Sequence, residues 1–162
     1  MKTHDLAVHL QNHWVAATGG VDFAHRVAQS HRGTPVGVDL EAVHTEVRED
    51  RDSLRAIMEQ LDVRPGVVLP LAARVAERVG RLKPNGHLVR RSPVSDVMEL
   101  EIFRGAVTAK GAGWETLLVL AEDDERLPAE QLRTLADRAR AQEQTLARIQ
   151  GEVAAAHSRG SD

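Results

Sequence analysis

Apolar residues return every three to four positions along four long stretches of this chain. That is the spacing of helices that each turn one face inward. The first helix is predicted over roughly 4–31, with Leu6, Leu10, Trp14, Ala17, Val21, Ala24 and Ala28 on one stripe, and it stops before Gly33-Thr34-Pro35. The second is predicted over roughly 38–62 and carries Leu40, Val43, Val47, Leu54, Ile57 and Leu61, a rhythm broken only at Asp50. Pro65-Gly66 follows it. A short helix is then predicted over roughly 70–82 from Leu71, Val75, Val79 and Leu82, with a turn at Lys83-Pro84-Asn85-Gly86. Ser92 and Pro93 suit the cap and first position of a third long helix, the most apolar of the set, which reaches about Glu122. After the solvated Asp123-Asp124-Glu125, the last helix is predicted from near Pro128 to about His157, with Leu132, Leu135, Ala139, Leu146, Ile149 and Val153 in register.

Helices of this length run to about 40 Å, too long for a globin-like crossing pattern in so short a chain. The predicted fold is therefore all-α, an antiparallel four-helix bundle with one extra short helix between the second and third long ones. Residues 1–157 form a single domain on this reading, and residues 158–162 a disordered tail.

Composition narrows the picture further. Aromatic residues make up 2% of the chain and Tyr is absent, so Leu, Val and Ala must fill the core, which favours helices over strands. A net charge of −3 is too small to point to a polyanion or a membrane surface as the main partner. The absence of Cys removes disulfides and thiolate chemistry and fits a reducing compartment. The N-terminal MKTHDLAVHLQNHW has no apolar signal core and no later stretch is long enough to span a bilayer, so a soluble, cytoplasmic domain is expected.

The candidate chemistry lies in polar residues on stripes that should be apolar. At about 100° per residue, Glu99 and Lys110 fall near the middle of the apolar arc of the third long helix, centred on Leu117. Asp50 takes the place that Val43 and Ile57 hold one heptad to either side, and Gln142 the place between Ala139 and Leu146. His13 lies at the edge of the first stripe. Two readings stand open. In one, His13, Asp50, Glu99, Lys110 and Gln142 form a buried polar layer that satisfies itself and sets helix register, Asp50 pairing with Lys110. In the other, His13, Asp50 and Glu99 converge on a metal; Lys110 and Gln142 are poor ligands.

Smaller signals surround these. Gly105, Gly111 and Gly113 lie within a helix at a cost of about 1 kcal/mol each relative to Ala. With Ile102, Ala106 and Ala109 they suggest a face closely approached by another helix, the competing reading being a local break at Gly111-Ala112-Gly113. His9 and His13, four apart, could share a metal from one helical face. Arg81, Lys83, His87, Arg90, Arg91 and Arg104 form a basic patch, but no Tyr or exposed Phe accompanies it for stacking, and nucleic acid is not expected as a partner.

The segments EAVH, EVREDRDSLRAIMEQL, GRLKPNG, RSPVSDVMELE and Lys110-to-Trp114 resemble small bacterial members of the ferritin-like superfamily. The resemblance implies a ferritin-like bundle, whose di-iron site takes a Glu from each of two helices and a Glu-x-x-His from each of the other two. Here no Glu precedes Glu41, and Glu130, Glu143 and Glu152 are followed at the third place by Arg133, Leu146 and Ala155. Glu41-x-x-His44 matches, yet Glu41 points about 140° from the centre of its apolar stripe. Only Glu99 stands where a ligand should, so the expectation is a bundle that has lost the di-iron site. The function expected is non-catalytic action through protein contact, with a homodimer or a protein partner and no cofactor. The alternative is a metal-binding or oxidoreductase protein with a reduced iron, manganese or zinc site.

Overall fold

The computed structural model describes residues 3–66 and 93–159. Among the described residues there are four helices and no strand: α1 (Thr3–Ser30), α2 (Gly37–Gln60), α3 (Pro93–Leu120) and α4 (Ala129–Arg159). Each terminus falls within two residues of the one expected from hydrophobic spacing. The described helices number four rather than five. The short helix expected over 70–82, the turn at 83–86 and the Ser92 cap lie outside the described residues. No described helix is long and apolar enough to cross a membrane.

Turn chemistry explains why the helices stop where they do. Gly33 adopts φ +82° after α1, a conformation that costs glycine little. Thr34 then closes the connection by donating both its backbone N–H (3.0 Å) and its hydroxyl (2.7 Å) to the His31 carbonyl. Gly37 must be bare, because a Cβ there would stand 2.5 Å from that same carbonyl oxygen. At the end of α2, Val63 N–H bonds Met58 O at 2.8 Å and Asp62 N–H bonds Glu59 O at 3.2 Å, the paired bonds of a Schellman motif. Asp62 is the left-handed residue of that motif, at φ 55°. Between α3 and α4, Asp124 accepts from the Arg126 guanidinium at 2.9 and 2.7 Å and from its backbone N–H. This pairing holds the Asp124 carboxyl down to about 2.

α1 packs on α2 and α3 packs on α4; α1 also touches α3, and α2 touches α4. The buried side chains form two apolar clusters. One gathers the C-terminal halves of α1 and α4 with the N-terminal halves of α2 and α3, including Ala24, Leu40, Phe103 and Ile149. The other gathers the opposite halves, including Leu10, Ile57, Leu117 and Leu132. The division follows the sequence: Val47 belongs to the first cluster and Leu54 to the second, with Asp50 between them. Val107 and Trp114 bracket Lys110 in the same way, and Leu146 and Ala139 bracket Gln142. A polar layer thus cuts the core across its middle.

Candidate functional site

Asp50 and Gln142 are each 1% exposed and Lys110 is 16% exposed on its side chain, so their polar atoms depend on one another. The Lys110 ammonium donates to Asp50 Oδ2 and to Gln142 Oε1. Gln142 Nε2 donates to Asp50 Oδ2 at 3.2 Å and to Glu46 Oε2 at 3.0 Å. Arg138 reaches in from α4 and sets Nη2 2.6 Å from Asp50 Oδ1, while its Nη1 donates to Glu49 at 3.0 Å. Burial pulls Lys110 below the usual lysine range, Asp50 works against that shift, and the Arg138 charge adds to it.

Sequence reasoning placed Asp50, Lys110 and Gln142 on inward stripes, and the structure brings these three together. It missed Arg138 and Glu46. The signal was present: Glu46 precedes Asp50 by four residues on α2, and Arg138 precedes Gln142 by four on α4. Glu99 and His13 stand apart from this layer. Glu99 is half-buried, because the buried arc of α3 runs through Leu100, Phe103, Val107, Trp114 and Leu117 and leaves Glu99 at its margin. His13 instead lies against Gly113, its ring atoms being the three nearest to where a Cβ would stand. Its ring also lies 4.4 Å, centroid to centroid, from that of His9. Burial lowers the pKa of both histidines, and for His13 the neighbouring His9 adds to the effect. Both rings are therefore neutral at pH 7.

A cavity of about 190 Å³ opens between α1, α2 and α3 at the level of the polar layer. Small residues make its walls: Ala16, Ala17 and Gly20 on α1 and Ala106, Ala109 and Gly113 on α3. Phe103, Val107, Leu117 and Trp114 give it an apolar lining, and Asp50, Arg51, Lys110 and His13 are its polar members. The small-residue face of α3 thus does not mark close helix contact along its length. The helix is unbroken through Gly111-Ala112-Gly113. Gly111 does meet α4, where a Cβ would touch Ala139 at 3.4 Å, but Gly105 faces open space.

Asp50 and His13 both line the cavity and Glu99 does not. Among the described residues no group of three or more His, Asp or Glu is placed to hold a metal ion. Glu41 is exposed and its carboxylate bonds His44 Nδ1 at 3.2 Å, which fits the outward direction expected from helix phase. Arg104, from the basic patch, is engaged by Glu143 at 2.6 Å and Gln150 at 3.5 Å; the patch's other members lie outside the described residues. Five threonine hydroxyls, those of Thr18, Thr45, Thr108, Thr116 and Thr134, bond the carbonyl four residues back rather than a histidine or carboxylate. The cavity between α1, α2 and α3 is apolar with a charged floor. Compared with protein-family models, with curated proteins and with solved structures, the chain finds no match.

Proposed function

We propose that this protein is a non-catalytic bundle that works through protein contact, its partner being a second copy of the same chain. The helices on this reading form an antiparallel, ferritin-like bundle. The two clusters support that arrangement, since each takes the C-terminal halves of α1 and α4 with the N-terminal halves of α2 and α3, or the reverse. α2 then ends at one end of the bundle and α3 begins at the other, as in bundles with a crossover connection.

The observation that carries the contact reading is the outer face of α3. Val94, Met98, Ile102, Gly105, Ala109, Ala112, Thr116 and Val119 fall within about 100° of one another on the helix. All are exposed and none is charged. A helix that is apolar on its outside as well as its inside is suited to burial on both sides. A second copy is the occupant this face fits best. Glu101 shares the edge of this arc with Val119 but accepts a hydrogen bond from Gln150 on α4 at 3.4 Å. The middle of the stripe carries no charge, so an isologous contact there meets no like-charge repulsion, and Gly105, Ala109 and Ala112 leave room for two backbones to approach.

Sedimentation of the wild-type chain at micromolar concentration tests this. A dimer is expected, and Gly105→Glu, which places a charge in the middle of the stripe where there is open space, converts it to a monomer of unchanged helicity. A wild-type monomer throughout the concentration range would overturn the self-association.

A further inference from the structure

The cavity lined by α1, α2 and α3 shares one residue, Ala109, with the outer face of α3, and its chemistry is specific. Protein interiors are close-packed, and voids larger than a water molecule are few. Here two facing helices both present small residues, so about 190 Å³ is left open between them. An engineered apolar cavity of about 150 Å³ in another protein holds benzene. The space is therefore large enough for an apolar body of about six to eight carbons. Ala106 at its wall is exposed and lies outside the stripe proposed for self-association, which gives such a body a way in.

The floor adds a charge preference. The Lys110 ammonium has three N–H donors. Asp50 and Gln142 accept two of them, and the third has no acceptor among the described residues. Asp50, the one carboxylate in the lining among the described residues, is already shared between Lys110 and Arg138. Arg51, a second cation in the lining, is paired with Asp52 at 2.6 Å, and His13 is held neutral by burial. The polar end of the cavity thus has, among the described residues, one ammonium N–H without an acceptor, in surroundings where burial strengthens electrostatic attraction.

We propose that this cavity binds a small monocarboxylate with an apolar body of about six to eight carbons, the carboxylate accepting the remaining Lys110 N–H and the body lying against Phe103, Val107 and Leu117. A straight-chain acid and an arylacetic acid share this chemistry. The site shares Ala109 with the self-association stripe, so titration of Gly105→Glu beside the wild type keeps the two readings separable.

Calorimetric titration of the full chain with heptanoate and with phenylacetate, alongside 1-heptanol and 2-phenylethanol as uncharged counterparts, decides the matter. At least one acid is expected to bind saturably at one per chain, ten-fold or more tighter than its alcohol; the tighter of the two acids identifies the aliphatic or the aryl source. Ala106→Leu, which fills the cavity from its rim, abolishes that binding without loss of helicity. Lys110→Met removes the preference for acid over alcohol. No saturable binding of either acid, or binding that persists in Ala106→Leu, would overturn the site. Acid and alcohol binding equally to the wild type would overturn the role of Lys110, and that comparison stands even if Lys110→Met does not fold.

Discussion

The imidazole of His13 on α1 covers the bare backbone of Gly113 on α3, so closely that a Cβ at Gly113 would stand 2.9 Å from each ring nitrogen. The glycine therefore exists for a ring rather than for a neighbouring helix. Glycine within a helix costs about 1 kcal/mol relative to alanine, and overpacking costs about 1–3 kcal/mol. Gly113→Ala alone is thus expected to destabilise the protein by roughly 1 kcal/mol in urea denaturation. In a His13→Ala background the same change is expected to stabilise, by up to about 1 kcal/mol. Additive effects in this double-mutant cycle would show that the two residues do not constrain each other.

Asp50 sits between two cations, Lys110 and Arg138, in a place with almost no solvent. Removing one partner of a buried charge pair leaves the other uncompensated, at a cost of about 3–5 kcal/mol. Asp50→Ala is expected to lose stability on that scale. Adding Lys110→Met should recover roughly half or more of the loss, since buried pairs replaced by apolar groups are often close to neutral. Chemical denaturation of the single and double variants measures both, and a neutral Asp50→Ala would refute the pairing.

His9 and His13 have lowered pKa values in the folded state, so between the folded and unfolded values the unfolded chain binds more protons. Their contribution is fully present above about pH 6.5, the unfolded value, and is lost as the pH falls toward their folded values. Stability should accordingly rise with pH up to about 6.5 and then level off with respect to these two groups. Denaturation midpoints taken from pH 5 to 8 test the trend, and His9→Asn with His13→Asn should flatten it. A slope that survives both substitutions would place its origin elsewhere.

Asp62 holds a left-handed backbone at the end of α2, and its N–H is already used in the helix-ending pair of bonds. Asp62→Gly relieves the Cβ strain and leaves those bonds intact, with a gain expected near 0.5 kcal/mol after the extra freedom of glycine in the unfolded chain is deducted. A rise of a few degrees or less in the thermal midpoint is the readout; a fall would mean that the Asp62 side chain stabilises the turn.

The helices were legible because their apolar residues keep a 3.6-residue period over many turns. Asp50, Lys110 and Gln142 were legible for the same reason, since each interrupts a seam that is otherwise apolar. Arg138 and Glu46 were not. Both begin outside the buried stripe and reach the layer with long side chains, a reach that helix phase does not report. Glu99 was placed too deep because the apolar arc was centred on Leu117, whereas the buried side centres near Phe103 and Trp114 and has Leu117 at its edge. The cavity depends on the separation of α1 and α3. Small residues on both helices suggest either contact or a void, and only the three-dimensional arrangement distinguishes them.

The way the two apolar clusters divide the helices has a consequence for how the chain can be cut. The hairpin of α1 with α2 gives residues to both clusters, and so does the hairpin of α3 with α4. Neither half of the polypeptide encloses an interior of its own. Each presents a long apolar strip that only the other half can cover, with Asp50 on one strip and Lys110, Arg138 and Gln142 on the other. Produced as separate pieces, the halves would be poor folders alone but complementary to each other, and the charged residues at mid-length would admit only one alignment between them.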